Sequence, residues 1–205
     1  MQESTSPTSA VEIKQEAERY RNAFTRVCPS FDAKKADRDI LNSVFAWVWR
    51  LDEYNKLGLD YDKGLCFYGP CGLGKSMTLR AVQVYMNNLK SRGFEDWRLG
   101  MWWKSASELA NMYAVDGQPS LIQYSVDNLC VDELGREPIP ASNYGTKMNV
   151  LQFLFQLRYD HRRECVTHVT TNLTLTEISS LYGEYIADRL LEMFNFVEFK
   201  GGSLR

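Results

Sequence analysis

Residues Gly69-Pro70-Cys71-Gly72-Leu73-Gly74-Lys75-Ser76 fit the pattern G-x-x-x-x-G-K-[ST] at every fixed position. The spacing has a chemical reason. Glycines accept positive φ, so successive N–H groups can turn inward around an anion. A helix starting at the end of the loop adds free N–H groups and a partial positive charge, and Met77 continues the motif into it. From there Lys75 can reach β- and γ-phosphates, and the Ser76 hydroxyl can hold Mg²⁺. Further along, Val126 to Glu133 is an apolar run that ends in two acids. Asp132 is expected to accept from the Mg²⁺ water shell or from Ser76, and Glu133 to polarise an attacking water. A third run, Cys165 to Thr171, ends at Asn172. A polar side chain at that strand tip would lie between the Asp132 strand and the γ-phosphate, where it could position water.

These groups need a scaffold, and the hydrophobic pattern supplies one. Leu65 to Tyr68 reads as a strand feeding the glycine loop, and the helix after it runs to about Lys90. Leu99 to Trp103 reads as a second strand. Ser105 then caps a helix, with Glu108 at the capping-box position. A short helix to Tyr124 precedes the Asp132 strand. Leu134 to Gly145 reads as a loop, and Lys147 to about Asp160 as a helix with a Met148, Leu151, Leu154 and Leu157 stripe. That helix ends in a basic cluster, Arg158, His161, Arg162 and Arg163, which either complements a helix C-terminus or meets nucleic acid. Thr174 to Leu181 and Gly183 to Met193 read as helices, and Phe194 to Lys200 as a fifth strand. His168, in mid-strand, reads as a hydrogen-bonded core histidine. Ahead of the loop, residues 11–27 form an amphipathic helix that docks either on a partner or on its own core, and Ile40 to Leu51 forms another. Right-handed crossovers place all five strands in one parallel sheet with helices on both faces. A strand lies between the phosphate-loop strand and the Asp132 strand. Ligand then binds beyond the carboxyl ends of the strands.

Composition excludes other classes. With 44% hydrophobic residues the 205-residue chain can bury a full core, so it is not a disordered protein. A net charge of −2 gives no global basic field, so any nucleic-acid contact must use a local patch. No apolar run approaches a membrane span. The five cysteines contain no C-x-x-C pair and read as small core residues in a reducing cytosol, with Cys71 set apart in the phosphate loop.

G-P-C-G-L-G-K-S, L-C-V-D-E-L-G, T-T-N-L-T and G-E-Y-I-A-D-R-L followed by F-K-G-G-S-L-R resemble the AAA+ ATPases of the DnaC/DnaI helicase-loader type, and the IstB transposition helpers are similar. The resemblance covers about residues 30–205 and divides the chain into an N-terminal helical segment, 1–30, and an AAA+ P-loop core, 31–205, without a C-terminal lid domain. It implies an ATPase that uses ATP and Mg²⁺, self-assembles on single-stranded DNA and delivers a replicative helicase. The alternatives are a transposase partner or a slow nucleotide-gated binding module. The D-E motif and Asn172 argue against a metabolic kinase. By the same resemblance Asn172 is the sensor that orients water. Arg189 is the arginine finger reaching a neighbouring subunit's γ-phosphate, against a plain salt bridge with Asp188. Arg205 is the second sensor arginine, Phe31 an aromatic near the adenine, and Ser142 and Tyr144 touch single-stranded DNA. The implied setting is a bacterial cytosol, with the gene carried by a bacterium, phage or mobile element, and no membrane.

Overall fold

The computed structural model describes residues 9–32 and 36–201. Its core is one parallel sheet of five strands. In chain order they are β1 (Gly64–Tyr68), β2 (Trp102–Ser105), β3 (Leu129–Leu134), β6 (Thr167–Thr171) and β7 (Phe194–Glu198). Across the sheet the order is β2-β3-β6-β1-β7. Thus β6, which leads to Asn172, lies between the glycine-loop strand and the Asp132 strand, and the three candidate motifs leave adjacent strand ends.

Alternation along the strands divides the core into two layers. Leu65 and Phe67 of β1, with Cys130 of β3, pack against α1 (Ala10–Val27), α2 (Arg38–Trp49) and α3 (Lys75–Ser91). Cys66, Leu129, Val131 and Val169 point the other way. They meet α4 (Ala106–Asp116), α5 (Pro119–Ile122), α6 (Val150–Asp160), α7 (Leu175–Tyr182) and α8 (Glu184–Met193). This is the α/β sandwich that the sequence implies. Among the described residues no helix is long and apolar enough to cross a membrane.

Helix α1 starts at a capping box formed by Ser9 and Glu12 and packs on its own core. Tyr20 and Phe24 are buried there, and Glu16, 4% exposed, receives two hydrogen bonds from Arg92, which follows α3, at 2.7 and 3.0 Å. Tyr85 also donates to Glu16, at 2.9 Å.

Four local expectations shift. Strand β2 begins at Trp102 rather than Leu99. Gly100 turns the chain at φ 77°, and Met101 is held by Asn87 and Gln83 of α3 instead of by a neighbouring strand. Strand β3 begins at Leu129 rather than Val126, because the Asn128 side chain bonds across to Val166 and Trp97 and closes a turn there. The stretch read as a loop, 134–145, carries half of a hairpin: β4 (Ala141–Asn143) pairs antiparallel with β5 (Thr146–Met148). Arg158 leaves the surface cluster altogether. It is fully buried and donates to Thr167 Oγ1, to the Asp127 and Val166 carbonyls, and to the Tyr124 carbonyl.

Candidate nucleotide-binding site

The glycine loop leaves β1 at Gly69, whose φ is 127°. A Cβ there would sit 2.4 Å from the Phe199 carbonyl oxygen, so only glycine lets the loop pass the end of β7. Gly72 and Gly74, at φ 87° and 81°, are also left-handed, and α3 starts directly after Gly74. Lys75 is thereby tucked into the first turn, 6% exposed. Its Nζ donates to the carbonyls of Gly69 and Pro70, each at 2.7 Å, and to Asn172 Oδ1 at 2.8 Å. Burial pushes the lysine pKa down, against the opposing pull of Cys71, Asp132 and Glu133. The expected lysine and the expected sensor therefore touch.

The acidic pair is placed by an irregularity. Between Val131 and Leu134 the register of β3 against β6 shifts. Glu133 takes φ 58°, a conformation that costs a non-glycine residue on the order of 1–3 kcal/mol. Its N–H donates to Thr170 Oγ1 at 3.0 Å, and Thr170 Oγ1 donates to Asp132 Oδ1 at 2.5 Å. Held this way, Glu133 faces outward at the strand end.

One cavity of about 370 Å³ gathers Lys75, Glu133, Thr170 and Asn172, while Asp132 is not part of its lining. Cys71, Gly72, Gly74, Lys75, Ser76 and Met77 form one wall, Glu133, Leu134 and Arg136 another, and Thr170, Thr171 and Asn172 a third. The donor set fits a magnesium-bound triphosphate: hydroxyl and carboxylate oxygens suit a hard cation, and the loop and Lys75 suit phosphate. A smaller cavity of about 120 Å³ opens on the other side of Leu73 and Met77. Ile40, Leu41 and Phe199 give it apolar walls, a surface suited to a flat base.

The remaining candidates lie elsewhere. Phe31 lines neither cavity; its ring packs on Phe24, centroids 4.9 Å apart. Ser142 and Tyr144 are on the β4–β5 hairpin, where Tyr144 forms the tip at φ 45° and is 98% exposed. Arg189 is on α8, outside both cavities. Its guanidinium lies between the rings of Tyr159 and Tyr185, 4.3 and 3.9 Å from their centroids, and bonds the Tyr185 hydroxyl. Asp188 is not its ion-pair partner. Arg205 falls outside the described residues. Cys66, Cys130 and Cys165 are buried, while Cys71 is exposed. His168 is buried in β6, where its Nδ1 accepts from the Leu65 N–H.

Five residues that line the larger cavity, Cys28, Leu134, Arg136, Thr170 and Thr171, were not singled out from sequence. Cys28 is at the end of α1 and Arg136 just past β3. Thr170 ties the acidic pair together. The T-T-N run held the signal for Thr170, since in a strand the residue two before Asn172 shares its face.

No protein-family model matches the chain, and no curated protein does. Solved structures do match. The structure of the DnaC helicase loader superposes with a TM-score of 0.57 at 18% identity, over 89% of this chain and 99% of that one. A DnaI structure matches with a TM-score of 0.57 at 18% identity, over 88% and 94%. The chain shares its fold with both of these structures. The replication initiator DnaA, bound to AMPPCP and single-stranded DNA, matches with a TM-score of 0.54 at 16% identity, over 82% of this chain and 47% of that one.

Proposed function

We propose that this loader-like chain is an ATPase that assembles on single-stranded DNA and delivers a replicative helicase. The observation that carries the reading is the convergence of Lys75, Glu133 and Asn172 on one cavity, with Lys75 Nζ 2.8 Å from Asn172 Oδ1. Ser76 and Asp132 would hold Mg²⁺, which neutralises charge on the phosphates. Glu133 takes a proton from water, Asn172 orients that water, and Lys75 meets the transferred phosphate. The base enters the smaller apolar cavity beside Leu73 and Met77. Arg189, half-buried on α8 between Tyr159 and Tyr185, serves the site of the next subunit, and the hairpin tip at Tyr144 offers single-stranded DNA an aromatic face. The solved DnaA neighbour, with AMPPCP and single-stranded DNA bound, supports both ligand classes.

The test is ATP turnover against protein concentration, with and without single-stranded DNA. The rate per subunit should rise with concentration and be lost in Glu133→Gln and in Arg189→Ala. Mixing the two inactive variants should restore turnover, since one supplies the finger and the other the intact catalytic acid. A rate independent of concentration and indifferent to Arg189 would sink the shared-site reading and leave a self-contained nucleotide site.

A further inference from the structure

Strands β3 and β6 pair in register at Leu129, Cys130 and Val131, opposite Thr167, His168 and Val169. Pairing resumes at Leu134 opposite Thr171. Asp132 and Glu133 therefore share a single partner position, that of Thr170. A bulge of this kind leaves a backbone group without its ladder partner. Here the orphan is the Glu133 N–H, and Thr170 Oγ1 receives it at 3.0 Å. The same hydroxyl spends its one proton on Asp132 Oδ1 at 2.5 Å. Thr170 itself is 1% exposed, while Asp132 is half-buried and Glu133 exposed.

We infer that Thr170 is a positioning residue for the proposed hydrolysis. Its hydroxyl holds the bulge that aims Glu133 into the cavity and fixes the carboxylate of Asp132 beside it. The inference rests on the ATPase reading above. Removing the hydroxyl leaves the Glu133 N–H without its acceptor inside the fold. The chain then repairs itself by relaxing the bulge, and a slip of one residue turns a strand side chain to the opposite face. Glu133 would leave the cavity while Lys75 and the glycine loop stayed in place. Catalysis should fail while nucleotide binding survives.

Thr170→Val keeps the branched shape and removes the hydroxyl; Thr170→Ser keeps the hydroxyl. Three quantities are read: kcat for ATP, affinity for a fluorescent ATP analogue without Mg²⁺, and hydrogen exchange at the ¹⁵N-labelled Glu133 amide. In Thr170→Val, kcat should fall about 10- to 100-fold, the scale of a hydrogen bond to a charged group. Analogue affinity should stay within about twofold, the mark of a group that acts on chemistry and not on binding. The Glu133 amide should exchange at least about tenfold faster, since its acceptor is gone. Thr170→Ser should bring kcat and protection back to near wild type. A Thr170→Val protein with wild-type kcat and a protected Glu133 amide overturns the inference. So does loss of kcat and analogue affinity together with no rescue by serine, the pattern of a merely structural residue. If the valine variant fails to fold, Thr170→Cys, with a weaker donor of similar size, is read the same way. Wild-type turnover in Glu133→Gln would instead overturn the hydrolysis reading itself, an outcome the amide exchange of Thr170→Val does not depend on.

Discussion

Arg158 shows how much one side chain can weigh. A guanidinium with no exposed surface has left water entirely, and its position is tolerable only because four oxygens receive it. Three of them are carbonyls, of Tyr124, Asp127 and Val166, so one residue closes the turn before β3 and the start of β6 at once. Arg158→Met fills the volume but strands those carbonyls. The variant should lose about 3–5 kcal/mol: each stranded carbonyl costs about 1–3 kcal/mol, less the desolvation that the removed charge no longer bears. In a chain of this size that is a fall of roughly 6–20 °C in the thermal midpoint. Calorimetry of the two proteins at one pH checks it. A midpoint shift of only a degree or two would mean that the carbonyls find water and that the arginine is dispensable.

At the scale of elements, what was legible in the sequence was what is local. The glycine loop, its strand and its helix are contiguous, and so are the Asp-Glu strand and the strand leading to Asn172. Each therefore announced itself by spacing and by one run of apolar residues. The hairpin did not. Its strands are three residues each, too short for an alternation to register, and what holds it is a set of contacts with α4: Tyr113 Oη to the Thr146 carbonyl at 3.1 Å and Asn143 Nδ2 to the Ala114 carbonyl at 3.0 Å. Arg158 was misread for the same reason, since two of its four acceptors, the Tyr124 and Asp127 carbonyls, come from a turn more than thirty residues earlier. Thr170 was missed because a bulge is a property of two strands together. The hairpin carries its own prediction. Tyr144 and Gly145 both have positive φ, at 45° and 88°, which makes the two-residue turn whose twist matches paired strands and leaves the tyrosine ring in solvent. Nothing in the core rewards an aromatic there. Tyr144→Ala should weaken binding of a labelled single-stranded oligonucleotide by about 1–3 kcal/mol, the value of one stacked base, with the melting temperature unchanged. Anisotropy titrations give the answer, and an unaltered affinity would remove the hairpin from the DNA surface.

The molecule as a whole carries a built-in response to acid, because its two core layers enclose charges and a neutral imidazole. Burial drives the pKa of His168 down to about 3, with Arg98 and Arg158 adding to the effect. Its Nδ1 accepts from Leu65 on β1, and its ring stands edge-on to Trp47 of α2, 5.4 Å between centroids, so the sheet and the first helical layer both depend on its staying neutral. The sign follows from proton counting. Between about pH 6.5 and pH 3 the unfolded chain binds a proton at this residue that the folded chain does not. Stability therefore falls as pH drops through that window, by up to about 1.4 kcal/mol per unit for one group. Glu16 and Asp96 act in the same direction but lower down. Burial alone would raise both carboxyls; the hydrogen bonds from Arg92, Tyr85 and Arg19 to Glu16, and from Arg98 to Asp96, outweigh it and hold their pKa values below the ordinary 4.5 and 3.8. Their stabilisation is complete above those values and is lost as pH falls through the depressed ones. The two effects separate between pH 6.5 and 5, where only the histidine contributes. His168→Asn keeps an acceptor for the Leu65 N–H and removes the titration. Urea denaturation should give a stability that declines across pH 6.5 to 5 in the wild type and is flat there in His168→Asn, while below pH 4.5 both proteins weaken, the wild type more steeply down to about pH 3. Parallel curves throughout would assign acid sensitivity to the carboxylates and leave the imidazole a spectator of the core.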